Sequence, residues 1–92
     1  MKNDRFDASD VKRVCERKLK IEFNSTKEYN GWYWLDGKKV VRITVPKGRK
    51  FLPPGTYSSM ARQMRLSTAQ FDNLLECPLR KADYDETLRA AG

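Results

Sequence analysis

A chain of 92 residues leaves room for one hydrophobic core, since folding at this size hides only a little over ~60% of the unfolded surface. Hydrophobic residues make up 39% and aromatics 11%, enough for that core and too rich in Trp, Tyr and Phe for a disordered chain. The 19 Lys and Arg exceed the 12 Asp and Glu to give a net charge of +7, a balance that favours an anionic partner and is silent on fold.

Asp7-Ala8-Ser9-Asp10 reads as a helix start, with Asp7 as N-cap and Asp10 at the third helical position. The helix is expected to reach about Lys18, with Val11, Val14, Cys15 and Leu19 on one face. The period then changes to two. Lys20-Ile21-Glu22-Phe23 alternates like a half-buried strand, and Asn24 to Lys27 supplies a turn.

Trp32 to Leu35, then Asp36-Gly37, then Lys38 to Val45 is a hairpin signal, because Asp-Gly supplies the positive φ angles of a type I′ turn. Counting back from that turn pairs Leu35 with Lys38, Trp34 with Lys39, Tyr33 with Val40, Trp32 with Val41, Gly31 with Arg42 and Asn30 with Ile43. This register puts Trp32, Trp34, Val41, Ile43 and Val45 on the core side. It leaves Tyr29, Tyr33, Lys38, Val40, Arg42 and Thr44 on a wet face that can meet a ligand.

Pro46 to Gly55 is a loop on composition. Thr56 is expected to cap a helix through about Arg65, with Tyr57, Met60, Ala61 and Met64 on one side. Ser67-Thr68-Ala69-Gln70 forms a capping box for a helix with Phe71, Leu74 and Leu75 inward, closed at Cys77-Pro78. Lys81 to Ala90 reads as a polar helix anchored by Tyr84 and Leu88.

The charge is concentrated. Between Lys38 and Arg65 lie eight basic residues and no acidic one, so the rest of the chain sums to −1. Such a segment suits a phosphate-facing surface driven by counterion release, and an ordinary solvated basic face is the competing reading. The chain has two cysteines and no histidine. Two thiols are too few for a zinc site or a disulfide scaffold, and the missing imidazole removes the commonest metal ligand and proton carrier. No metal or cofactor is expected. The start, Met1 to Arg5, lacks the apolar segment of a secretion signal, and apolar runs are short; a cytoplasmic protein with no membrane partner is the expectation.

One helix, three strands and then helices is the order of an α+β, double-stranded-RNA-binding-like fold: α-β-β-β-α, a three-stranded antiparallel sheet with one face under helices, and extra C-terminal helices. The domain is read as residues 1–92, with a core at about 8–76 and a helical extension at 79–91. From Gly31 to about Leu75 the chain resembles the HicA-family (YcfA-like) toxins of bacterial toxin-antitoxin pairs. The resemblance is carried by Arg42-Ile43-Thr44-Val45-Pro46, Leu52-Pro53-Pro54-Gly55-Thr56, Ala61 to Ser67, and Gln70-Phe71.

That resemblance implies messenger-RNA cleavage by a histidine before the hairpin, and a small acidic antitoxin of HicB type as partner. This chain departs from the pattern. Aligned back from Asp36-Gly37, Asn30, or a neighbour if the loop shifts, stands in the histidine slot within Glu28-Tyr29-Asn30-Gly31-Trp32, and Lys47-Gly48-Arg49-Lys50 replaces a second histidine. Catalytic residues are therefore assigned to none. The first reading is an RNA-binding protein that holds phosphates and stacks bases through Tyr29, Asn30, Tyr33, Lys38, Arg42, Lys47, Arg49, Lys50 and Thr56. The second is an endoribonuclease (mRNA interferase) with rearranged groups, Glu28 as base, Lys47 or Arg49 as electrostatic partner and Tyr29 as acid, or a toxin whose histidine was removed. The third is a DNA-binding helix-turn-helix over Tyr57 to Glu76, opposed by a second helix that carries Asp72 and Glu76 and no cation.

Overall fold

The first helix begins where two carboxylates satisfy the orphan amides of its opening turn. The computed structural model describes residues 2–47, 52–76 and 79–91. In it the Asp10 amide donates to Asp7 Oδ1 at 2.8 Å and the Asp7 amide to Asp10 Oδ2 at 3.0 Å, a reciprocal capping box. Helix α1 spans Ala8–Lys18 and stops as Lys20 takes the left-handed conformation, φ 59°. Val11, Cys15 and Leu19 are buried from it and Val14 packs beside them.

Three strands follow, β1 (Glu22–Ser25), β2 (Glu28–Leu35) and β3 (Lys38–Pro46), in one antiparallel sheet of order β1-β2-β3. The first strand starts two residues later than its alternation predicts and absorbs Asn24 and Ser25, because Ser25 still pairs with Tyr29 across a turn at Thr26 and Lys27. Asp36 and Gly37 have φ 52° and 80°, as a type I′ turn requires.

The expected register holds only for the two pairs nearest that turn. Leu35 faces Lys38 and Trp34 faces Lys39, but Tyr33 then faces Val41, Trp32 faces Arg42, Gly31 faces Ile43 and Asn30 faces Thr44. Val40 is the extra residue of a β-bulge. A one-residue slip moves every later side chain of the partner strand to the other face. Val41, Ile43 and Val45 are core residues as expected, but their β2 companions are Tyr29, Gly31 and Tyr33, and the tryptophans lie on the opposite face.

Helix α2 spans Pro54–Gln63, two residues earlier than a Thr56 cap would place it. Pro53 holds the N-cap position with no side-chain cap, and Pro54 needs no hydrogen-bond partner in the first turn. The end of α2 is a Schellman motif: the Leu66 amide donates to the Ala61 carbonyl and the Arg65 amide to the Arg62 carbonyl, each at 2.9 Å. Helix α3 (Thr68–Glu76) opens on the expected Ser67–Gln70 box, with bonds of 2.9 and 3.1 Å. Its C-terminal end meets Lys18, whose ammonium donates to the Leu74 and Leu79 carbonyls at 2.7 and 2.9 Å, where the helix dipole favours a cation. The Cys77-Pro78 stop lies outside the described residues.

Helix α4 (Lys81–Ala91) buries Tyr84 and Leu88 in the same core as Val11, Ile43, Leu52, Tyr57 and Phe71. The helices thus cover one face of the sheet. Among the described residues no helix is long and apolar enough to cross a membrane.

Candidate nucleic-acid interface

The uncovered face is built by strand alternation. On β2 it receives Glu28, Asn30, Trp32 and Trp34; β1 adds Glu22 opposite Trp32 and Asn24 opposite Asn30; β3 adds Lys39 opposite Trp34, Arg42 opposite Trp32 and Thr44 opposite Asn30. Trp34 is 56% exposed, the one large hydrophobic side chain so exposed among the described residues. The Lys39 ammonium lies 5.0 Å from the Trp32 ring centre and 5.4 Å from that of Trp34, and the Arg42 guanidinium lies 5.5 Å from Trp32. Lys20, Glu22, Asn24, Trp32, Trp34 and Lys39 line a shallow hollow of about 540 Å³. Two flat π-faces with cations above them can stack planar bases and neutralise the phosphates between them.

Further along the same face, Asn30 Oδ1 accepts from Thr44 Oγ1 at 3.0 Å and from the Arg42 guanidinium at 3.3 Å. Asn30 is therefore an amide whose oxygen is occupied and which cannot carry a proton. Beyond it Glu28, Thr44, Pro46, Thr56, Ser59 and Gln63 border a cleft of about 330 Å³ against the first turns of α2, and the Thr44 amide donates to Gln63 Oε1 at 2.9 Å.

The residues expected to bind RNA are divided by this geometry. Asn30 and Arg42 share the open face, and Thr56 borders its far cleft. Tyr33 does not join them: it is 2% exposed, its hydroxyl hydrogen-bonds Asp85, and its ring meets Tyr84 edge-on with centres 5.0 Å apart. Tyr29 is half-buried on the helix side at the strand end, its ring between the ammonium groups of Lys12 at 4.8 Å and Lys47 at 5.0 Å. Lys38 is exposed at the hairpin tip, in a separate cleft. Arg49 and Lys50 lie outside the described residues.

Missed from the sequence are Trp32, Trp34 and Lys39. A signal was present: both tryptophans share strand parity with Glu28 and Asn30, whereas Tyr29, Gly31, Tyr33 and Leu35 form the other, less polar set. The same parity separates Glu28 from Tyr29, which point to opposite faces of the sheet. In α3 Asp72 is buried and accepts from the Tyr57 hydroxyl and the Lys2 amide, which turns that side of the helix away from any major groove.

No protein-family model, curated protein or solved structure matches the chain.

Proposed function

We propose that the chain is an RNA-binding protein that lays single-stranded bases across Trp32 and Trp34 and meets their phosphates with Lys39 and Arg42. The observation that carries this reading is the exposed Trp34 beside the half-buried Trp32 on the open sheet face, with Lys39 and Arg42 over their rings. Duplex RNA hides its base faces, so an exposed stacking platform favours unpaired nucleotides. Glu22 on the β1 side of the hollow steers phosphates toward β3.

The order of elements and the quoted motifs support a double-stranded-RNA-binding-like fold of HicA-type ancestry. With Asn30 in the histidine slot, the function is binding without the family's usual cleavage. A small acidic antitoxin of HicB type is the protein partner this ancestry implies, and it would compete with RNA for the same cations.

The test is a tryptophan-fluorescence titration with a single-stranded oligoribonucleotide and its duplex form. Single strands are expected to quench the signal and bind more tightly. Trp34→Ala should cost about 1–3 kcal/mol of affinity. Replacing Lys39 and Arg42 by Gln should reduce the dependence of log K on log salt by about 0.7 for each lost phosphate contact. Equal affinity of Trp34→Ala and the parent protein would overturn the stacking platform.

A further inference from the structure

At the hairpin tip a second cleft, of about 660 Å³, opens between the Asp36-Gly37 turn and α4, lined by Leu35, Asp36, Lys38, Lys39, Val40, Arg65, Leu88 and Arg89. Its size is that of a small-molecule site. Lys38, Arg65 and Arg89 border the apolar side chains of Leu35, Val40 and Leu88, Lys39 lines the cleft with its ammonium over the tryptophan rings, and the sole acid in the lining, Asp36, already pairs with Arg89 at 3.0 Å. Two other clefts are acidic, that beside α2 offering Glu28 and no cation and that along α3 and α4 offering Asp83 and Glu86, while the hollow at the tryptophans and the cleft along α1 each set two cations against one acid.

Arg65 adds an independent observation. It occupies the left-handed position that ends α2, with φ 59°, where glycine is the unstrained choice and an arginine costs stability. Strained positions of this kind cluster at ligand sites. Here the strain places a guanidinium at the rim of the cleft.

We infer that the hairpin-tip cleft binds a nucleoside monophosphate, with the phosphate among Lys38, Arg65 and Arg89 and the base against Leu35, Val40 and Leu88. The Asp36 carboxylate holds Arg89 until the phosphate replaces it. The site does not rest on the tryptophan face, although Lys39 borders both. The nucleotide can be a free molecule or the phosphorylated end of an RNA strand, and the two sources are separable.

The experiment follows the methyl resonances of Leu35, Val40 and Leu88 by NMR. Adenosine monophosphate is titrated into the Trp32→Ala/Trp34→Ala protein, where stacking on the sheet cannot compete, and a 5′-phosphorylated oligonucleotide and its unphosphorylated form into the parent. Shifts with the free nucleotide assign a free ligand; shifts that need the strand and its 5′-phosphate assign a strand end. In either case Arg65→Gly should weaken binding roughly tenfold, the loss of one charge-assisted contact, while its melting temperature does not fall below the parent's, because glycine relieves the turn. Asp36→Asn, which keeps a residue suited to φ 52°, should tighten binding. The proposal is overturned if no ligand moves the three methyl groups, if Arg65→Gly binds as well as the parent, or if inorganic phosphate binds as tightly as the nucleotide. Loss of tryptophan quenching alone would count only against the sheet-face reading.

Discussion

Gly31 shows how one residue sets the spacing of the sheet beneath α1. A Cβ there would fall 2.5 Å from Ile21 Cγ2 and 2.8 Å from Phe23 Cε1, well inside contact distance. The glycine lets Ile21 and the β1 side chain Phe23 close over β2 on the core side. Gly31→Ala must push Ile21 or the Phe23 ring aside, and overpacking of this kind costs about 1–3 kcal/mol. The expected outcome is a lower urea midpoint with unchanged far-ultraviolet circular dichroism, and a midpoint equal to the parent's would contradict the packing described. Gly37 needs its freedom for a different reason, its φ of 80° in the hairpin turn; nothing lies within 4 Å of where its Cβ would be.

Helix α4 is held to the sheet by side chains that the register slip brings inward. Tyr33 reaches Asp85, Lys81 also meets Asp85 at 3.3 Å and lies 5.5 Å from the Tyr33 ring centre, and the Tyr84 hydroxyl donates to the Met64 carbonyl at 2.9 Å. Burial, and then the bond to Asp85, raises the Tyr33 phenol above its ordinary pKa. Without the Val40 bulge Tyr33 would point to solvent and α4 would lose this clasp. Tyr33→Phe keeps the ring and removes the bond, so stability should fall by about 1–2 kcal/mol. Its affinity for single-stranded RNA should stay at the parent value, since the ring is on the wrong side of the sheet to stack. A large loss of RNA affinity in a folded Tyr33→Phe protein would restore the tyrosine to the interface and displace the tryptophans from it.

Across the whole molecule the core gathers acidic hydrogens that titrate only at high pH. Burial, reinforced by neighbouring Glu16, pushes the Cys15 thiol up to about 12. Burial and the bond to Asp72 raise Tyr57 well above its ordinary range, and burial does the same for Tyr84. In the unfolded chain the thiol ionises near 9.0 and the phenols near 10.0. At pH 7.5 both states keep nearly all of these protons and stability is almost indifferent to them. Above it the unfolded chain releases protons that the native state retains, so the unfolded state gains and stability falls as pH rises. Urea midpoints measured at pH 7.5, 9.5 and 10.5 should decline progressively beyond the first, and a flat profile would mean that these groups ionise freely in the native protein.

Much of the framework was legible in local chemistry. The Asp7–Asp10 and Ser67–Gln70 boxes, the Asp-Gly turn, the apolar spacing of α1 and the inward Tyr84 and Leu88 each depend on residues a few positions apart, whose geometry is set by backbone hydrogen bonding and periodicity. The start of α2 was misplaced for a local reason too, because proline at the first helical position replaced the expected threonine cap. What tertiary structure decided, against a parity signal in Glu28 and Asn30 too weak to fix it, was which side of β2 meets water. A single unpaired residue at Val40, stabilised by what Tyr33 finds on a helix about fifty positions away, reverses the faces of an eight-residue strand. The chain by itself determined that aromatics and cations would share a hairpin; packing against α4 determined that the tryptophans, and not the tyrosines, were left outside, since the pleat has a period of two and a shift of one is enough to exchange them.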